Sequence, residues 1–281
     1  MSLDSNKENK MTFSRQVKEG DPLVLIDFLE THSKLSKSIL KKVLNNGGVW
    51  LRRFSSSKRV RNRRATTELN LESHIEFFYD PKLHSLPVPE ARVVFDQKDW
   101  GLWYKPSGLL SQGTEFGDHC SILRQVEKIK GKAFLVHRLD REAHGLILIA
   151  YHHKAAAAFS ALWQKNEVKK FYKVEVLGDI TKTYPKGGEI DFKLDGKEAK
   201  TSFTVISQNE YTATLLVQIH TGRLHQIRRH FDQLGYPVVG DPKYGVCNKN
   251  DQGIKLMAYQ LIFKNPLNNK EVNFELKDVA F

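Results

Sequence analysis

The chain has 281 residues, 40% of them hydrophobic, and carries 44 Lys and Arg against 32 Asp and Glu, a formal net charge of +12. That length allows a substantial core, as one large domain or as a main domain with a small satellite. The charge favours a polyanionic partner, nucleic acid first, although a generally basic protein without such a partner has the same composition. Cys120 and Cys247 stand far apart and outside any metal-ligand spacing, which argues against a disulfide framework and for a reducing compartment. His152 and His153 are adjacent rather than spaced for one helix face, so no zinc site is expected. The N-terminus is polar and lacks the apolar core of a signal peptide, and no apolar run approaches the roughly 20 residues of a membrane span. A cytoplasmic protein is expected.

Residues 1–20 offer little apolar surface and read as a flexible tail. An apolar-rich opening, LVLIDFLE, leads into SKLSKSILKKVLNNGG, where Leu35, Ile39, Val43 and Leu44 recur near helical spacing. Ser36 or Ser38 is a suitable cap for that helix, Gly47-Gly48 ends it, and VWLRR follows as a short strand. RRFSSSKRVRNRR, residues 52–64, holds seven basic residues and no acidic one. Such a run repels itself and stays solvated unless something negative neutralises it. Either it is a mobile surface loop, or Arg59, Arg61, Arg63 and Arg64 meet phosphates and release counterions; the strongly basic chain favours the second reading.

TTELNLESHIEFFYD closes this small unit as a strand, and DPKLHSLPVPEARV, with three prolines, reads as a linker with a domain boundary near residue 81. Residues 21–80 are thus expected as a small domain and 81–281 as the main one. In the latter, VVFDQKDWGLWYKP predicts a strand pair that meets a turn at Lys105-Pro106-Ser107-Gly108, and SILRQVEKIKG predicts a helix. GLILIA reads as a buried strand, and YHHKAAAAFSALWQKN as a helix by its alanine run. KKFYKVEVLG, AKTSFTVISQ and YTATLLVQIH have the period-two pattern of antiparallel strands. HQIRRHFDQLG is a helix with Ile227, Phe231 and Leu234 along one face, ended by Gly235. The fold class expected is α/β (α+β), with a mixed, mainly antiparallel sheet.

In VHRLDREAHGLILIA, residues 136–150, a cluster of charges runs directly into an apolar strand. Removing charges from water is costly, so Asp140 beside arginines demands a reason. An arginine partner can keep a partly desolvated carboxylate ionised and available as a nucleophile or base. For an isolated HRLD, a structural ion pair that fixes a loop at a strand end is the simpler reading.

The motif does not stand alone. VHRLDREAHGLILIA resembles the catalytic motif of RNA pseudouridine synthases of the RluA family, HRLD followed by two residues and Thr-Ser-Gly. YKPSGLL (104–110), KKFYKVEVLG, TGRLHQIRRHFDQLGYPVVGDPKYG (221–245) and LMAYQLIF (256–263) resemble the family's other blocks, in its order. The resemblance spans nearly all of residues 92–265. It implies that Asp140 is the catalytic aspartate, that Tyr172 stacks on the target base and is implicated in removing a ring proton, and that Arg228 pairs with the aspartate. It further implies that Arg138 helps extrude the nucleotide and that Leu256 packs beneath the base, with Arg223, His225 and Lys105 as further RNA contacts. The implied reaction turns specific uridines into pseudouridine in structured RNA, large-subunit rRNA before tRNA. It needs no metal or organic cofactor. RNA is the expected partner, no membrane is involved, and the expected state is a monomer. A base buried in folded RNA must be unstacked at a cost of a few kcal/mol before such chemistry, and an aromatic face offers it a new stack.

Three departures from the pattern stand out: Ala143-His144-Gly145 for Thr-Ser-Gly, Leu224 for the Thr of GRTHQIR, and Leu256-Met257-Ala258 for L-H-A. The first two remove hydroxyls, the third sets Met257 where the pattern has histidine, and all three leave Asp140, Tyr172 and Arg228 in place. Residues 22–79 resemble, over a shorter stretch, the RNA-binding module named after ribosomal protein four of the small subunit. A non-catalytic RNA-binding or ribosome-assembly protein is the alternative from another class, and retention of the Asp, Tyr and Arg set argues against it. A kinase is set aside, because neither a glycine-rich phosphate loop nor a DFG accompanies HRLD.

Overall fold

The structure is a computed structural model that describes residues 10–54 and 56–277. Its contacts divide into two units: residues up to Val88 together with Gln112–Arg124, and Pro89–Ser111 together with Gln125 onward. Among the described residues no helix is long and apolar enough to cross a membrane.

In the first unit, β1 (Met11–Gln16), β2 (Val49–Arg52), β3 (Val60–Arg61) and β4 (His74–Tyr79) form an antiparallel sheet in the order β1-β4-β2-β3. Leu25, Phe28 and Leu29 of α1 (Leu25–Ser33) and Leu40, Val43 and Leu44 of α2 (Lys37–Asn46) pack on Val49, Ile75 and Phe77 as its core. Ser36 caps α2 by accepting from the Ile39 N–H, and Gly47, at φ +83°, turns the chain out of it. Both were legible as stop and start signals.

Three expectations for this region are corrected. Residues 11–16 are not a tail: β1 pairs with β4 from Met11 to Gln16, and Phe13 stacks on Phe77 at 5.0 Å. An edge strand shows water on one face, so few of its residues need be apolar; residues 1–9 lie outside the described chain. The expected linker begins with a helix, α3 (Pro81–Ser85), whose first N–H groups are capped by the Asp80 carboxylate. The contact boundary accordingly falls at Val88 rather than near residue 81.

The basic run is also not left to solvent. Arg59 pairs with Glu76 and Glu115, Arg61 donates to the Gly47 and Thr114 carbonyls, and Arg63 pairs with Asp118. Arg59 and Arg61 further lie over the Trp50 ring, 4.7 and 4.2 Å from its centroid. The negative charge that neutralises the run is the unit's own. Arg64 reaches Thr66, while Arg52, Arg53 and Lys58 stay exposed.

The second unit is built on β5 (Arg92–Asp96), β6 (Trp100–Lys105), β7 (Phe134–Leu135), β8 (His144–Ala150), β9 (Lys169–Leu177), β10 (Gly187–Ile190), β11 (Thr201–Gln208), β12 (Thr212–Ile219), β13 (Leu256–Lys264) and β14 (Glu271–Glu275). The main path runs β10-β11-β12-β9-β13-β8-β6-β5, with β14 added to β13 and β7 to β8. Every pairing is antiparallel except β8 with β13. This is the mixed, mainly antiparallel α+β class expected. Its helices are α5 (His153–Gln164), α6 (Gln226–Gln233) and, from Gln125 onward, α4 (Ile122–Lys130), whose first residues belong to the first unit.

Two apolar clusters meet at the parallel pair. Ile227 and Phe231 of α6 pack on Val174, Leu215 and Val217. Ala155 and Phe159 of α5 pack on Leu146, Leu148 and Met257. At the seam Gly145 has φ +116°, and a Cβ there would lie 2.3 Å from the Ala258 carbonyl oxygen. Only glycine permits that approach, and it fixes where the loop before β8 must emerge.

The first unit carries a buried pair of imidazoles. His84 and His119 stack with centroids 5.4 Å apart, and the Asn46 amide donates to His84 Nδ1 at 2.6 Å. Burial, then His119 and Lys42, push His84 down to about 4, with Asp80 opposing. The unfolded chain takes this proton near the ordinary value and the folded chain only near 4. Stability therefore falls as pH drops from about 6.5 to 4, by about 3 kcal/mol for His84 alone, and levels below. Urea midpoints measured across that window should show the slope, and His84→Gln should flatten it; an equal slope in the variant would assign acid sensitivity elsewhere.

Candidate active site

Asp140 lies on the loop between β7 and β8, and that loop is anchored by its own flanks. His137 Nε2 accepts the Leu148 N–H at 2.9 Å, and its ring stacks on Trp163 at 4.5 Å. Burial, followed by the nearby Lys170 charge, pushes His137 down to about 3, so the imidazole is a neutral tether. The Leu139 N–H donates to Ser111 Oγ at 3.0 Å, and that hydroxyl donates back to the Leu139 carbonyl at 2.7 Å.

Beyond Asp140, the Gly108 N–H donates to the Arg141 carbonyl at 2.8 Å and Ser107 Oγ to the Glu142 carbonyl at 2.6 Å. Gly108, at φ +83°, gives this turn its shape. The KPSGLLS stretch is a cradle for the HRLDRE loop.

Lys105, expected from the sequence to meet RNA, is the peg of that cradle, which corrects the assignment. It is 0% exposed, and its ammonium donates to the carbonyls of Pro106 (3.0 Å), Leu109 (2.8 Å) and Arg141 (3.3 Å). Burial pushes it down to about 7, against the pull of Asp140 and Glu142.

The opposing wall is the start of α6. Gln226 folds back there, its carbonyl accepting from the Arg223 N–H and Thr221 hydroxyl and its amide donating to Lys200 and Thr201. His225 precedes it in the left-handed region at φ +51°. Arg228, 2% exposed, engages Asp241 with a two-pronged contact, Nε to Oδ2 at 2.6 Å and Nη2 to Oδ1 at 2.7 Å. Its remaining Nη1 points at Asp140 (3.3 Å) and Glu142 (3.5 Å). Burial works against the Arg228 charge, but Asp241 and then Asp140 outweigh it and raise its pKa.

His225 Nδ1 is 3.1 Å from the Tyr244 hydroxyl, and its Nε2 is 3.9 Å from Asp140. Burial lowers His225 against the Asp140 charge, so the ring is neutral at neutral pH. Tyr172 is placed by β9, opposite Val217 on β12 and Ala258 on β13. Burial, then the Asp140 charge, hold its phenol far above the ordinary range, so it stays protonated.

These side chains surround one pocket of about 130 Å³. Asp140, Tyr172, Arg228, Arg138, Arg223, His225 and Leu256 all line it, as the sequence reading grouped them. Arg138 is exposed at the rim, and Arg223 uses Nε on the Glu198 carbonyl at 2.9 Å. Lys105 and the first unit's Arg59, Arg61, Arg63 and Arg64 are not among its lining. Ala143 forms part of the wall, whereas His144 opens β8 opposite Met257 and meets Tyr104 edge-on at 6.2 Å. Sequence reasoning missed Asp241 and Glu142. Asp241 lay in the quoted GDPKYG block, but its burial and its pairing with Arg228 emerge only in the fold.

A family profile described as RNA pseudouridylate synthase matches residues 99–233. An RNA pseudouridine synthase of Aquifex aeolicus is 30% identical over 295 residues, covering 92% of this chain and 92% of that one. Ribosomal large subunit pseudouridine synthase D of Pseudomonas aeruginosa is 31% identical over 176 residues, covering 56% of this chain and 54% of that one. The solved structure of human RNA pseudouridylate synthase domain containing 1 matches with a TM-score of 0.58 at 20% identity, over 69% of this chain and 85% of that one, a likeness of fold.

The cradle yields a direct test. Lys105→Met keeps the stem and removes the donors, which orphans the buried Leu109 carbonyl and strips a donor from the part-buried Pro106 carbonyl. It should lower stability by about 2–4 kcal/mol and speed amide exchange at Leu139 and Arg141. A variant with wild-type melting and exchange would show that the peg is dispensable.

Proposed function

Because the chain belongs to the RNA pseudouridine synthases, we propose that Asp140 supplies the reactive carboxylate for isomerising uridine to pseudouridine in RNA. The observation that carries this reading is the triangle of Asp140, Arg228 and Tyr172 on one pocket. Arg228 is locked by Asp241 and has a single Nη1 left over, so the carboxylate meets a cation that cannot turn away. A group held in place in this way needs little reorganisation when it reacts.

The uracil enters the pocket unstacked from its RNA. Tyr172 remains a phenol, and its ring offers a stacking face while its hydroxyl offers a hydrogen bond. Leu256, apolar and buried, forms the floor. Arg138 at the rim occupies the gap left in the RNA, and Arg223 keeps its terminal nitrogens for phosphate, since among the described residues only its Nε is engaged. In the reaction the bond from ring nitrogen to ribose breaks, the ring turns, and a ring carbon takes its place. That carbon loses a proton and the released nitrogen gains one, so nothing is oxidised or hydrolysed.

Large-subunit rRNA is the proposed substrate. The Pseudomonas relative named for that subunit supports it, as does the small basic first unit, with Arg52, Arg53 and Lys58 exposed. A cytoplasmic site of action follows from that substrate. Arg59, Arg61 and Arg63 contribute by shaping this unit rather than by free phosphate contact, because they are paired within it.

Asp140→Asn should lower pseudouridine formation by about a thousandfold or more while RNA binding persists. Pseudouridine-specific labelling of rRNA and tRNA from cells with and without the protein, and from cells with the variant, would read both substrate and role. Full activity in the variant would defeat the assignment of Asp140; a lost site in tRNA alone would defeat the choice of rRNA.

A further inference from the structure

Lys170 sits two residues before Tyr172 on β9 and has no part in the cradle or in the Arg228 contacts. Side chains alternate along a strand, so Lys170 and Tyr172 share a face. Directly across on β12, Lys170 stands opposite Ile219, and Tyr172 opposite Val217. Tyr172 and Ile219 both line the pocket. On the third side is His137, whose ring feels the Lys170 charge and whose neighbour Arg138 stands on the pocket rim. Strand register therefore sets Lys170 beside the wall that receives the base.

Its environment is unlike that of the other buried lysine. Lys105 spends its donors on three carbonyls. Lys170 is 6% exposed, yet among the described residues no hydrogen bond or ion pair engages its ammonium. The nitrogen is not among the sealed, unpartnered atoms, so its tip meets solvent. Burial alone lowers its pKa, with no carboxylate beside it to compensate. A cation largely shielded from water and without a protein partner is costly to keep, and neutral side chains of similar length would fill the same space.

We infer that Lys170 is a phosphate-binding residue: its ammonium meets a backbone phosphate next to the nucleotide held in the pocket and fixes how deeply the base enters. The inference rests on reading the pocket as the uridine site. Phosphate is the anion that RNA brings, and a compact ammonium on a flexible stem suits a single phosphate oxygen. A contact to a uracil carbonyl would give a similar distance but would release no counterion, so the salt dependence of binding separates the two.

The test uses the full-length protein and unmodified transcripts of large-subunit rRNA and of tRNA. Dissociation constants are measured from low to physiological salt for the wild type, Lys170→Gln and Lys170→Arg, with melting curves for each. Lys170→Gln should bind about tenfold more weakly at low salt, and its slope of log affinity on log salt should shrink by about 0.7–0.9. Lys170→Arg should restore most of the slope. Under saturating RNA, single-turnover rates should fall less than affinity does.

An unchanged slope in a folded Lys170→Gln overturns the inference, whether or not affinity drops. If Lys170→Gln does not fold, Lys170→Met is measured in its place; failure of both to fold assigns the charge to the fold and also overturns it. Should the wild type form no pseudouridine in either transcript, the proposed function fails, while the salt slopes still decide the role of Lys170.

Discussion

The site depends on how one guanidinium is divided. Arg228 spends two nitrogens on Asp241, in the parallel geometry that a planar fork and a carboxylate share. Its third is all that is left for Asp140 and Glu142. Asp241 is itself 1% exposed and held by the Lys243 and Tyr244 N–H groups. The orientation of the arginine is thus set from behind, before anything enters the pocket. A lysine in that position could supply charge but not this division of labour.

Everything on the other side of the pocket serves to bring Asp140 to that remaining nitrogen. The HRLDRE loop has little regular structure of its own, and its backbone groups are satisfied by Ser107, Gly108, Ser111 and Lys105 instead. A loop whose polar groups are paired in this way keeps its shape although it lies outside helix and sheet. The charged mouth of β8 is then explained: Arg138, Leu139 and Asp140 line the pocket, the His137 ring is tied back to the fold, and Gly145 admits the close approach of β13 that closes the seam.

Most of the architecture was legible because its periodicities are strong. The buried row of Ala213, Leu215, Val217 and Ile219 in β12 and the Ile227 and Phe231 face of α6 follow directly from spacing. What escaped was structure that depends on partners distant in sequence. β1 has mostly polar outward positions and exists because β4 offers it an edge. The arginines after β2 look free until Glu76, Glu115 and Asp118 are brought to them. Lys105 looks like a surface lysine in a turn, and only the three converging carbonyls make its burial tolerable. In the site, resemblance of motifs identified the residues on the pocket, but it did not reveal that Asp241 decides where Arg228 points.

The chain's route between its two units has a consequence for how the protein can be cut. Because Gln112–Arg124 returns to the first unit, the polypeptide passes from one unit to the other three times. A fragment begun at Pro89 would carry Asp118 without Arg61 and Arg63, and His119 without its stacking partner His84. The amino-terminal portion is therefore no detachable cassette: deleting it strips a stretch embedded in the remainder of its natural companions, and grafting it elsewhere leaves its own surface unfinished.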